Sequence, residues 1–128
     1  DLVRSRGLGD VYKRQEYAVA LRQATRRGGA PTFEAALLDR FLIAALIEAR
    51  SCERLGLLAK ALAARGEQAL ATFYEELFVT EARHYTTFVD LATVLLPDEA
   101  AVRARLAEVA AAEGEIAARL GAAPTVHG

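Results

Sequence analysis

Two rows of apolar side chains constrain this chain more than any other feature. One runs Leu37, Phe41, Ala44 and on to Leu55; the other runs Leu77, Phe88, Leu91 and Leu95. Both advance by alternating steps of four and three, the spacing that keeps side chains on one face of an α-helix. A single short break, "ARGEQ" at residues 64–68, separates them. Two long helices joined by so short a turn fold back on each other as an antiparallel hairpin, half of a four-helix bundle. No strand pattern competes, and no repeat at solenoid period is present. The fold class is all-α.

Each row also holds residues of the wrong chemistry. Completing the first at its own spacing places Glu48 between Ala44 and Ser51. Completing the second places Glu81 and His84 between Leu77 and Phe88. An isolated carboxylate in such a row is costly unless it takes up a proton or meets a cation. Glu81 and His84, three residues apart, share one face of their helix a turn apart. A Glu on one helix facing Glu-x-x-His on its neighbour is the ligand pattern of carboxylate-bridged di-iron bundles. There, two helices each give a Glu and two others each give Glu-x-x-His. Carboxylate oxygens with imidazole suit iron or manganese, and open positions leave room for dioxygen. Another reading stays open at this point. Arg50 or Arg54 could reach Glu48 or Glu81 and form salt bridges without metal, in a non-catalytic helical module with a buried Glu/His polar network. Cys52 beside the row reads as a small core residue, and Tyr74 and Tyr85 as packing aromatics.

The remaining boundaries follow from caps and breakers. A first helix is expected over about Glu16–Arg27, stopped by Gly28 and Gly29 before Pro31. Thr32 is the N-cap candidate of the second, which runs to about Ala64 and stops at Gly66. Ala35 stands where a capping box would need Glu or Gln. The third helix is expected over about Glu67–Leu95, ending before Pro97. Asp98 opens or caps a fourth, about Glu99–Leu120, which Gly114 weakens by about 1 kcal/mol relative to alanine.

A chain of 128 residues with 53% hydrophobic content makes one domain with a sizeable core. A net charge of −1 leaves no electrostatic footprint for nucleic acid or a membrane surface. The run "FLIAALI" at 41–47 is too short to cross a bilayer. One cysteine excludes an internal disulfide. With no signal-peptide pattern visible, it points to the cytoplasm.

Residues 1–15, "DLVRSRGLGDVYKRQ", show neither helical nor strand periodicity. Their end, "DVYKRQ", reads as the in-frame translation of a transposase-end sequencing adapter; a natural basic arm touching RNA is the competing reading. As an adapter scar the segment is set aside from the fold, leaving 16–122 as the folded unit and 123–128, with an exposed His127, as a tail. The natural protein is then expected to continue upstream. Residues 1–15 hold four basic and two acidic side chains, so the chain's 16 and 17 fall to 12 and 15 without them. Any RNA contact therefore depends on local arginine placement rather than bulk charge.

Two phrases go further than the pattern. "ALIEARSCERL" (45–55), followed by "FYEELFVTEARHYTTFVDLA" (73–92), resembles the bacterial tRNA 2-methylthio-N6-isopentenyladenosine hydroxylases. The resemblance covers about residues 17–96 and, more loosely, the final helix. It implies a ferritin-like four-helix bundle, here the C-terminal hairpin with its flanking helices. It also implies a di-iron monooxygenase that hydroxylates the isopentenyl group on the adenosine beside the anticodon. The implied cofactors are two non-haem Fe ions, with O2 as co-substrate. The implied partners are the tRNA anticodon loop and an electron donor, with no membrane. The family's iron-bridging glutamate falls on Glu48 and its last Glu-x-x-His on Glu81 and His84. Arg50, Arg54 and Arg83 become candidates for the surroundings of the metal or for RNA contact. A ferroxidase or iron-storage relative of the same fold would share the ligands without the phrase "IEARSCER".

The family pattern also has an earlier Glu and an earlier Glu-x-x-His. Residues 16–47 supply neither, because Glu16 and Glu34 lack a histidine three positions on. Half the ligand set is then missing, and this chain alone is expected to be inactive. The family reading is a monomer. Two copies about a twofold axis would present four glutamates and two histidines.

Overall fold

The hairpin inferred from the two rows is the centre of the structure, a computed structural model that describes residues 15–26, 28–29 and 31–120. Residues 1–14, Arg27, Ala30 and the tail 121–128, His127 included, lie outside the described residues. Helix α1 covers 15–24, α2 Phe33–Ala64, α3 Gln68–Leu95 and α4 Glu99–Leu120; no strand occurs among the described residues. The fold is an all-α, ferritin-like helical bundle.

The ends of these helices have local causes. The Thr32 hydroxyl accepts a hydrogen bond from the Ala35 amide at 3.1 Å and starts α2. At the other end Gly66 adopts φ 81°, a left-handed conformation that costs glycine little. That turn lets the Gly66 amide bond the Ala63 carbonyl at 3.1 Å and the Glu67 amide bond that of Leu62 at 2.9 Å. Two carbonyls at the end of α2 are thereby satisfied. The Asp98 carboxylate caps α4 by accepting from the Ala101 amide at 3.1 Å. Gly114 is accommodated within α4, with open space around the position a Cβ would take.

Helix α2 has neighbours on two sides. On one side it meets α3 through small residues, Ala45 and Ala59 on α2 and Ala71 and Ala92 on α3, all buried. At Gly56 the approach is closer still: a Cβ there would lie 3.6 Å from the Phe78 ring. On the other side lie α1 and α4. Tyr17 and Leu21 of α1 pack with Ile43 of α2 and with Val109 and Ile116 of α4. Nearer the start of α4, Val102 joins Leu38 and Leu42 of α2 and Ala92 of α3. Two arginines fasten this arrangement. Arg105 on α4 donates to both oxygens of Asp39 on α2, each at 2.9 Å, and to the Thr25 carbonyl at the end of α1 at 2.7 Å. Its hydrogen bonds to the Asp39 carboxylate, outweighing the opposing effect of burial, hold the guanidinium above the usual range. Arg50 on α2 grips Glu113 on α4, which also accepts the Tyr17 hydroxyl of α1 at 2.7 Å. Consequently α1 and α4 occupy one side of α2, and among the described residues no helix covers the opposite face shared by α2 and α3.

Candidate metal centre

Helix α2 presents Glu48, and α3 presents Glu81 and His84, to that open face. The His84 Nδ1 atom lies 3.8 Å from the Glu81 carboxylate and 3.9 Å from that of Glu48. One ligand atom from each of the three falls within 4.8 Å of the others. A first-row metal with bonds of about 2.0–2.2 Å holds its ligand atoms roughly 3–4 Å apart. A small rotation of each side chain therefore closes the group around an ion. Two carboxylates and one imidazole make a donor set of the right charge and hardness for iron or manganese. The residues fit.

The site is more open than the apolar rows imply. Glu48 and Glu81 are largely covered, but the His84 side chain is 51% exposed. On the same face of α3, Leu70 is 48% exposed, Phe73 53% and Leu91 41%. Phe41, Ala44, Leu77 and Phe88, which flank the three residues in the two apolar rows, are partly buried. The cause is the placement of α1 and α4 on the far side of α2.

The three candidate arginines part company. Arg50 sits two residues from Glu48, about 200° round the helix, and so turns away from it. Its guanidinium bonds both Glu113 oxygens, at 2.7 and 2.9 Å, and Glu53 at 2.8 Å. Burial alone would lower its pKa, and the Glu113 carboxylate more than reverses that. Arg50 is thus part of the scaffold beneath the site. Arg54 and Arg83 are exposed. Arg83 borders a shallow groove lined by Phe78, Val79, Ala82, Thr86 and Thr87, on a different flank of α3 from His84. Cys52 places its Sγ 3.7 Å from the Phe78 carbonyl, and burial raises its pKa, which suits an inert packing residue.

Sequence reasoning missed Glu113 and Tyr17. The signal for Glu113 was present: α4 has its own row at steps of four and three, Val102, Leu106, Val109, Glu113, Ile116 and Leu120. A carboxylate interrupts it as Glu48 and Glu81 interrupt theirs. Burial, reinforced by the Glu113 carboxylate, pushes the Tyr17 hydroxyl well above the usual tyrosine range, so it stays a donor.

The model of one protein family, tRNA-(MS[2]IO[6]A)-hydroxylase (MiaE), matches residues 8–128. The chain belongs to this family. The name of the family is that of a hydroxylase, an oxidoreductase activity. The matched range begins inside the 1–15 segment and takes in the tail. Two curated relatives are each named tRNA 2-(methylsulfanyl)-N(6)-isopentenyladenosine(37) hydroxylase. The one from Salmonella typhimurium is 41% identical over 69 residues, covering 54% of this chain and 24% of the relative. The one from Pseudomonas putida is 40% identical over 80 residues, covering 62% of this chain and 37% of the relative. The chain therefore spans well under half the length of these MiaE relatives. No solved structure matches it. No helix among the described residues is long and apolar enough to cross a membrane.

Proposed function

We propose that Glu48, Glu81 and His84 are half the ligand set of a non-haem di-iron centre. We also propose that the whole protein hydroxylates the isopentenyl group of 2-methylthio-N6-isopentenyladenosine beside the anticodon, in the cytoplasm. The observation that carries this reading is the convergence of the three side chains from α2 and α3. They lie within the two phrases that resemble the family. Bound iron supplies the activation of O2 that attack on an unactivated methyl group requires. This chain's residues do the rest. Glu48 from α2, with Glu81 and His84 from α3, would hold the metal. Phe41, Ala44, Leu77 and Phe88 keep water from the reacting carbon. The substrate adenosine belongs to a single-stranded loop, so it can be splayed into the site without opening a duplex. Arg54 and Arg83, on the exposed surface, are the candidates for contact with the RNA backbone. The reaction would also require an electron donor as a partner.

A single copy brings two of the four carboxylates and one of the two imidazoles that such a site uses. It should bind a divalent ion weakly and should not hydroxylate tRNA. The test is an anaerobic Fe(II) titration of this chain, then exposure to O2 with tRNA carrying the unhydroxylated base, read by mass spectrometry of the released nucleosides. Weak Fe(II) binding that Glu81→Ala removes, with no hydroxylated nucleoside from a dilute monomer, is the expected result. Fe(II) binding unaffected by Glu81→Ala would remove these residues from the metal centre.

A further inference from the structure

We infer that Arg50, Glu113 and Tyr17 form a clamp that sets the rotation of α2 about its own axis and so aims the Glu48 carboxylate at Glu81 and His84. The inference rests on the ligand assignment above and adds to it three positioning residues, none of them a ligand.

The clamp is held at each joint. Glu113 is the one buried carboxylate among the described residues. It accepts from Arg50 Nε at 2.9 Å, from Nη2 at 2.7 and 2.9 Å, and from the Tyr17 hydroxyl at 2.7 Å. A planar guanidinium meeting a carboxylate edge-on fixes direction as well as distance. The other edge of Arg50 donates to Glu53, one turn further along α2, at 2.8 Å. The arginine therefore changes rotamer only by breaking bonds on two helices.

Glu48 depends on the clamp because the contact between α2 and α3 is smooth. That contact is made by Ala45, Ala59, Ala71 and Ala92, with Gly56 against the Phe78 ring. Interlocked large side chains resist the turning of one helix against another, whereas alanine and glycine bring backbones close without supplying such knobs. What stops α2 from turning lies on its other side. Arg50 follows Glu48 by two residues, about 3 Å along the axis and roughly 200° round it, so the two side chains leave the same level in opposite directions. Turning α2 by about ten degrees would move a carboxylate about 6 Å from the axis by about 1 Å. Metal–ligand distances are held to within about 0.2 Å. Play of that size spoils a site.

The Arg105–Asp39 pair is no substitute. It grips α2 nine residues from Glu48, about 13 Å away along the axis. With that pair alone, a pivot of about five degrees would again displace the level of Glu48 by about 1 Å.

Mn(II) titration calorimetry on the full chain, beside urea unfolding, separates position from stability. Arg50→Met with Glu113→Leu leaves no buried charge, so its urea midpoint should stay near that of the wild type. Its Mn(II) affinity should nevertheless fall about 10- to 100-fold, the range for losing a partner that orients a ligand. Arg50→Lys keeps the charge pair but replaces the fork with a single point of contact; it should lose affinity several-fold with helical content unchanged, and it carries the test if the double variant unfolds. Arg105→Met with Asp39→Leu, the same exchange at the distant pair, should change affinity less than threefold. Wild-type affinity in both Arg50 variants, with binding still abolished by Glu81→Ala, would overturn the clamp and leave the ligand assignment standing. No Mn(II) binding by the wild type would overturn both. Equal losses from the near and the distant exchange would reduce the clamp to a general effect on stability and overturn its positioning role.

Discussion

Glu113→Ala is expected to destabilise the protein by about 3–5 kcal/mol, the range for removing one partner of a buried ion pair. Whole domains are stable by only about 5–15 kcal/mol, so this variant stands near the threshold of unfolding. The reason is what it leaves behind. Arg50 loses three hydrogen bonds to the carboxylate and keeps only Glu53, and the buried Tyr17 hydroxyl loses its acceptor. One of the two polar contacts that fasten α1 and α4 to α2 goes with them, leaving that of Arg105. Replacing both partners, as Arg50→Met with Glu113→Leu, should recover most of the loss, because no uncompensated charge remains. Urea unfolding of the three proteins measures it. A Glu113→Ala protein as stable as the wild type would show that the pair contributes little here.

His84→Ala should have the opposite profile. The side chain is half exposed and packs little, so stability should change by no more than about 0.5 kcal/mol. Metal affinity should fall by at least about a hundredfold, beyond the 10- to 100-fold typical of losing a mere supporting residue. Mn(II) binding by calorimetry, beside a thermal melt, separates the two quantities. If affinity stays within a few-fold of wild type, His84 is not a ligand. Together the variants divide the chain's in-row carboxylates into two kinds. Glu113 is balanced by an arginine and serves the fold, whereas Glu48 and Glu81 face an imidazole and suit a metal.

That division is where the sequence stops being legible. Helix positions came through because their causes are local: Thr32, Gly66 and Asp98 each act within a few residues, and the apolar period repeats along each helix. The convergence of Glu48 with Glu81 and His84 was legible for a similar reason, since a short turn fixes which faces of a hairpin meet. The partner of a carboxylate is not local. Arg50 lies two residues from Glu48 yet serves Glu113, 63 residues away, because two steps along a helix turn a side chain to the opposite side. Nor does an apolar row say whether anything covers it. Leu77 and Leu91 follow the same spacing as Val102 and Val109, but only the α4 row is closed over by α1 and α2.

The Tyr17–Glu113 hydrogen bond joins residues 96 apart in sequence. Bringing such distant points together costs more chain entropy than closing the short turn at Gly66, although the cost grows only slowly with length. The hairpin is therefore the part that can form early and open late, and α1 with α4 close over it last. The metal ligands all belong to the early part. Amide exchange should show α1 and α4 opening as one unit at lower free energy than α2 and α3; equal protection throughout would contradict that order. The ligands of the candidate centre then stay on one folded hairpin through the commonest opening of the molecule.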